Sequence, residues 1–214
     1  MDVVRRYTGV KTMGYRRKPV YEFIKRIMDI CCSLVALILL SPVFLFTMIA
    51  IYIDDPGPVL FKQVRVGRDG RKFLIWKFRS MKKNAEEAKA ELMSKNQDHG
   101  VNFKIENDPR ITRVGRFIRR TSIDELPQLV NILKGDMSVI GPRPFIESEQ
   151  ANLPSDRLSV KPGLSCYWQI GGKNDLSLRE QIELDRKYVE ERSVIVDVKI
   201  IMLTLMMVVR NKNE

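Results

Sequence analysis

Apolar residues in this chain gather into one long run, two short alternating runs and several periodic stretches. Each pattern predicts an element. The long run, 30-ICCSLVALILLSPVFLFTMIAIYI-53, carries no charge. A bilayer-spanning helix needs roughly 20 mostly apolar residues, so its length is sufficient. Ser41-Pro42 interrupts it near the middle. Proline offers no N–H and its ring crowds the carbonyl four residues back, that of Ile38. The Ser41 hydroxyl is placed to bond back to the Leu37 carbonyl and bend the helix further. Basic residues stand on both sides: Arg16, Arg17, Lys18, Lys25 and Arg26 before the run, Lys62, Arg65, Arg68, Arg71 and Lys72 after it. Positive flanks prefer the cytoplasmic side. Charge symmetry therefore favours a helix that enters the bilayer, turns and leaves by the same face over a single kinked transmembrane helix. A cleavable signal peptide fits poorly, because the run starts late, is too long and lacks a small-residue cleavage site. The last apolar run, 200-IIMLTLMMVV-209, is too short to span and reads as an interfacial or core-packed helix.

Three segments follow from this pattern: a basic N-terminal arm over 1–20, a re-entrant membrane helix-turn-helix over 21–55, and a cytoplasmic domain on the membrane surface over 56–214, which carries the candidate chemistry. After the breaker 54-DDPGP-58, the runs 59-VLFKQVRV-66 and 73-FLIWKFR-79 predict a β-hairpin turning at Asp69-Gly70. Alternation along the second strand places Lys77 and Arg79 on one face. Residues 82–99 are polar and helix-prone. A helix over 108–120 is predicted with Asp108 as N-cap and Pro109 at its first position. On it Arg110, Arg113, Arg116 and Arg119 form a basic stripe. That stripe reads either as a solvated face or as a surface for anionic lipid or phosphate. A second helix is expected over 121–136, ending at Gly135. The 141-GPRP-144 segment is a rigid turn presenting Arg143, 161–177 is turn-rich, and 178–192 is an amphipathic charged helix. The expected fold class is α+β, mainly helical with a small β-hairpin.

Charge and cysteine usage narrow the chemistry. The 214 residues include 37 Lys and Arg against 26 Asp and Glu, a net charge of +11 that favours anionic partners. Cys31, Cys32 and Cys166 make no disulfide framework, and no Cys/His cluster suggests zinc. The single histidine, His99, lies in a polar stretch, so a Ser-His or Cys-His pair is not expected to carry catalysis.

Asp124 and Glu125 admit two readings. Ser122-Ile-Asp-Glu125 matches a capping box, which would make both acids structural. Against this, Pro127 would fall too far inside such a helix, and a densely cationic segment precedes it. Paired acids beside arginines suit phosphate chemistry: the arginines hold a polyanion, and the carboxylates bind a divalent cation or attack phosphorus.

The order and spacing of 25-KRIMDI-30, Ser41-Pro42, 56-PGPVLFKQVRVG-67, 76-WKFRSM-81, 107-NDPRITRVGRFIRRTSIDELPQLVNILKGDMSVIGPRP-144, 161-KPGL-164 and 168-WQ-169 resemble the bacterial sugar transferase family of monotopic phosphoglycosyl transferases, over about residues 20 to 210. The resemblance implies transfer of a sugar 1-phosphate from a UDP-sugar to undecaprenyl phosphate with release of UMP, starting a surface glycan. It implies Asp124 as the nucleophile that forms a covalent phosphosugar intermediate, Glu125 as its partner, and Mg²⁺ held by the two acids. It implies a helix broken at Ser41 and Pro42, and a place on the cytoplasmic face of the bacterial inner membrane. Lys77, Arg79, Arg119, Arg143 and Lys173 match positions where the family places cations, and are the expected phosphate ligands. Where many relatives have Gly-Arg-Asn, this chain has 172-GKN-174, so Lys173 keeps the charge without the bidentate fork. The large N-terminal extension of longer relatives is missing, which suggests a minimal catalytic form. The alternatives are a non-catalytic, basic, membrane-bound adaptor and a one-pass membrane enzyme. No nucleic acid is expected as a partner, and the exposed apolar surface makes a homodimer reasonable.

Overall fold

A computed structural model describes residues 18–85, 87, 108–171 and 176–209. The basic arm up to residue 17, His99, most of the polar stretch 82–99 and Lys173 lie outside these residues.

The long apolar run folds as two helices, α1 (Pro19–Leu39) and α2 (Ser41–Asp54), bent by 61°. No single helix among the described residues is long and apolar enough to cross a membrane, whereas the bent pair together meets that length and composition. The break falls at Leu40, so Ser41 and Pro42 open α2, where a proline costs no hydrogen bond. Pro42 cannot donate to the Ile38 carbonyl, and the Ser41 hydroxyl donates to it instead at 2.8 Å. The acceptor is thus Ile38 and not Leu37, because the chain turns one residue before the serine. Phe23, Ile27, Leu34, Ile38 and Leu39 of α1, and Phe46 and Ile53 of α2, are exposed.

Polar residues on the opposite face of α1 dock it to the rest of the chain. Asp29, buried, accepts from the Ser138 hydroxyl at 2.8 Å and the Val139 N–H at 2.9 Å. Arg26 donates to the carbonyls of Ile132 and Leu133 at 2.6 and 2.7 Å. Lys25 and Tyr21 donate to Asp197 at 2.7 and 2.9 Å. Three separate segments are thereby tied to the foot of the apolar hairpin.

Strands β1 (Leu60–Val66) and β2 (Lys72–Phe78) pair antiparallel with Leu60 opposite Phe78 and Val66 opposite Lys72. The turn has Asp69 and Gly70 at φ 56° and 76°, the left-handed conformation that this dipeptide accepts readily. The free edge of β2 is closed by one side chain: Asn131 accepts from Trp76 N–H at 3.0 Å and donates to the Leu74 carbonyl at 2.7 Å. Phe44 packs edge-on against Phe78 at 5.3 Å, joining α2 to the hairpin.

Helix α3 spans Arg113–Arg120, shorter than the sequence suggests. Thr112 is the N-cap, accepting from Gly115 N–H at 2.9 Å. Asp108 is unavailable for that role, because its carboxylate is held by Arg110 Nη2 at 2.6 Å and Nε at 2.9 Å. Arg110 is buried there and leaves the basic stripe, which reduces to exposed Arg113, Arg116 and Arg119. A 3₁₀ turn over Ile123–Glu125 then leads to α4 (Gln128–Lys134), whose C-cap is Gly135 at φ 92°. Ser122 adopts φ 57° and makes no capping hydrogen bond, so the capping-box reading fails; Pro127 precedes α4 as its N-cap.

A second sheet, absent from the sequence reading, pairs β3 (Ser138–Ile140) with β4 (Gly163–Ser165) in parallel. A side chain on Gly163 would run into the Gly141 backbone, so the glycine is what lets these segments meet. Short helices α5 (Glu147–Gln150) and α6 (Tyr167–Ile170), then α7 (Leu178–Glu191) and α8 (Val194–Val209), complete the chain. Ile140, Cys166, Trp168, Tyr188 and Ile200 form one core, so α8 is core-packed on one side. Ile195, Val198, Met202 and Leu205 lie exposed on its other side. The fold is α+β, mainly helical with a small antiparallel hairpin.

Candidate active site

The acidic pair stands on the 3₁₀ turn between α3 and α4. Asp124 is buried, with 9% of its surface exposed. Glu125 receives two cations on one oxygen: Lys77 Nζ at 2.7 Å and Arg143 Nη1 at 3.3 Å from Oε1. Each comes from a rigid element. Lys77 is fixed by its register opposite Phe61, and Arg143 lies between Pro142 and Pro144. The guanidinium of Arg143 also lies over the Trp168 ring at 5.9 Å. Residues 48 and 18 positions from Glu125 in sequence therefore converge on its carboxylate. That is the behaviour of a built site and not of a helix cap.

Lys77, Glu125 and Arg143 edge a small cleft, lined also by Arg65, Gln128, Pro144 and Gly163. Arg65 did not stand out in the sequence beyond its place in a basic strand. It donates to Gln63 Oε1 at 2.6 Å and lies 3.6 Å from Glu149. Burial, and next to it the positive charge of Arg143, bring its guanidinium down to about 10. A cleft with Lys77, Arg65 and Arg143 against Glu125 is electropositive, and suits a polyanion such as a diphosphate.

The other expected phosphate ligands are placed elsewhere. Arg79, 8% exposed, follows the end of β2 and pairs with Asp55 at 3.4 Å and with its backbone carbonyl, bracing the exit of α2. It does not join Lys77. Arg119 is exposed in the last turn of α3. Its charge helps, after the Arg110 hydrogen bonds, to hold the Asp108 carboxyl below the usual carboxylate range. Lys173 lies outside the described residues.

Among the described residues no three His, Cys, Asp or Glu side chains come together as a metal cage. Mg²⁺ asks for less: one or two carboxylates, with waters and substrate phosphates completing the shell. Asp124 and Glu125 are the carboxylates at this site that could enter such a shell, and Glu125 Oε1 already holds Lys77 and Arg143.

The chain is helical with a small hairpin, and joins an apolar bent helix pair to a glutamate that two cations hold beside a buried aspartate. Comparison with known sequences names the family. The model for "Bacterial sugar transferase" matches residues 20–211. The chain is 44% identical over 213 residues to the galactosyl transferase CpsE of Streptococcus agalactiae, covering 96% of this chain and 47% of that protein. It is 42% identical over 196 residues to the undecaprenyl-phosphate galactose phosphotransferase of Salmonella typhimurium, covering 88% and 41%. It is 38% identical over 195 residues to the exopolysaccharide production protein ExoY of Rhizobium meliloti, covering 88% and 86%. The chain thus spans less than half of the first two relatives and most of the third. It belongs to the bacterial sugar transferase family.

Proposed function

We propose that this chain transfers a sugar 1-phosphate from a UDP-sugar to undecaprenyl phosphate and releases UMP, starting a surface glycan. The observation that carries the reading is the convergence of Lys77 and Arg143 on Glu125 beside a buried Asp124. The Salmonella relative, named an undecaprenyl-phosphate galactose phosphotransferase, supplies the reaction class.

In this reading the Asp124 carboxylate attacks the β-phosphorus of the UDP-sugar. The bond from that phosphorus to the bridging oxygen breaks, UMP leaves, and the sugar phosphate stays on Asp124 as an acyl phosphate. A phosphate oxygen of undecaprenyl phosphate then attacks the same phosphorus and returns the carboxylate. Splitting the transfer in two spares the site from aligning nucleotide and lipid at once. Lys77, Arg65 and Arg143 neutralise the diphosphate, which is most of what phosphoryl transfer demands. Asp124 and Glu125 would hold Mg²⁺, which when bound offsets charge on the diphosphate and the departing UMP.

The apolar hairpin α1–α2 enters the cytoplasmic leaflet and returns by the same face. The cleft then sits at headgroup level, where the phosphate of the lipid carrier lies. The exposed apolar face of α8 rests on the same surface.

UMP release from UDP-sugars with undecaprenyl phosphate tests the reaction: wild type is active and Asp124→Asn is not. Equal activity in both removes Asp124 as nucleophile, and silence across a broad UDP-sugar panel returns the chain to the adaptor reading. Chelation with EDTA abolishes release and Mg²⁺ restores it; activity unaffected by EDTA refutes the metal. Labelling of a cysteine placed in the arm from outside intact cells would end the re-entrant arrangement.

A further inference from the structure

The turn that presents Arg143 is held at four consecutive carbonyls by three different segments. Pro142 O accepts from Gly163 N–H at 3.0 Å, and Phe145 O from Val66 N–H at 3.0 Å. Pro144 O lies 3.4 Å from Arg65 Nη1. Arg143 O itself accepts from Arg157 Nη2 at 2.6 Å. That same nitrogen donates to Asp185 Oδ2 at 2.6 Å, and Arg157 Nε reaches the same oxygen at 3.2 Å. Arg157 Nη1 donates to Gln150 Oε1 at 2.7 Å, and the guanidinium lies 4.5 Å over the Phe145 ring.

This pair is costly where it stands. Both side chains are 2% exposed, and Asp185 Oδ1 is buried without a hydrogen bond. Burial pushes the Asp185 carboxyl up to about 6 against the pull of Arg157. A buried ion pair of this kind is often no more stabilising than well-packed apolar residues, so stability alone does not account for it. Besides Gln150 and the Phe145 ring, the Arg157 guanidinium grips the backbone of the residue that reaches Glu125.

We propose that the buried Arg157–Asp185 pair is the positioning device for Arg143, fixing the backbone from which that guanidinium meets Glu125 and the substrate phosphates. This rests on the transferase reading above. Arg157 touches neither the cleft nor a reacting group, so it is a positioning residue and not a catalytic one. Asp185 orients the nitrogen that grips the Arg143 carbonyl, and α7 thereby sets the geometry of a site it does not line.

A double-mutant cycle on UMP release tests this. Asp185→Asn lowers kcat/KM by about 10- to 100-fold, the scale of a misplacement near 1 Å. In an Arg143→Ala background the same substitution costs less than about twofold, because the residue it positions is gone. Arg157→Lys, which keeps a donor toward the carbonyl, recovers part of the activity lost in Arg157→Met. If Asp185→Asn does not fold, Phe145→Leu, which removes only the ring beneath Arg157, runs the same cycle. Equal losses in both backgrounds overturn the proposal while leaving the reaction standing. An Arg143→Ala enzyme as active as wild type overturns the proposal and the active-site assignment together, whereas loss of UMP release in Asp124→Asn reports on the reaction alone.

Discussion

Replacing Lys77 with methionine removes one charge from the centre of the site and little else. Its Nζ lies 2.7 Å from Glu125 Oε1, and the two side chains are 18% and 15% exposed. At an effective dielectric near 20, opposite charges about 4 Å apart attract by about 4 kcal/mol. After desolvation, a charged hydrogen bond nets about 1.5–3 kcal/mol. If that interaction serves the transition state, kcat/KM for UMP release falls about 10- to 100-fold in Lys77→Met. Folding suffers less, because Arg143 remains 3.3 Å from the same oxygen. A loss below about 1 kcal/mol shifts the thermal midpoint by no more than about 4 °C. The assay is steady-state UMP release beside a thermal melt, with Lys77→Arg as the variant that keeps the charge. A methionine enzyme within twofold of wild type, or one whose lost activity merely tracks its unfolded fraction, refutes the role given to Lys77.

Two further substitutions test how the site is held. Asn131→Leu strips the β2 edge of its cap and leaves Trp76 N–H and the Leu74 carbonyl unpaired, at about 1–3 kcal/mol each. The melting temperature drops by about 4 °C or more, and an unchanged melt contradicts the edge-capping role. Asp108→Asn probes a carboxyl that Arg110 holds below its ordinary range. Such a group contributes stability above its unfolded value of about 4 and loses it as pH falls through the folded one. The variant is therefore less stable than wild type by about 1–2 kcal/mol at neutral pH, and the gap closes below about pH 4. A gap that stays constant across that range contradicts the assignment.

The sequence disclosed the parts that local chemistry decides. The Asp69-Gly70 turn, the alternation of β1 and β2, the Gly135 stop and the discomfort of Pro127 inside a helix each follow from one or two residues, and the structure agrees with them. The parts decided by distant partners were hidden. Strands β3 and β4 are three residues each, too short for a period-two pattern, and they exist because Gly141 and Gly163 let two backbones approach. Asp108 looked like a helix cap because nothing local shows that Arg110 folds back onto it, which leaves the role to Thr112. At the candidate site, type and order singled out Asp124, Glu125, Lys77 and Arg143, and the fold brings Lys77 and Arg143 onto Glu125. The diversion of Arg79 to Asp55, the presence of Arg65 in the cleft and the brace of Arg157 behind Arg143 are tertiary facts with no signature along the chain.

The most direct test is to mix enzyme and UDP-sugar without lipid acceptor, quench rapidly, and map any added mass by peptide mass spectrometry. The account calls for one sugar phosphate on the peptide bearing Asp124, formed with an equal amount of UMP and discharged when undecaprenyl phosphate is added. An adduct on another residue, or UMP that forms only when both substrates are present and leaves the protein unmodified, would contradict it.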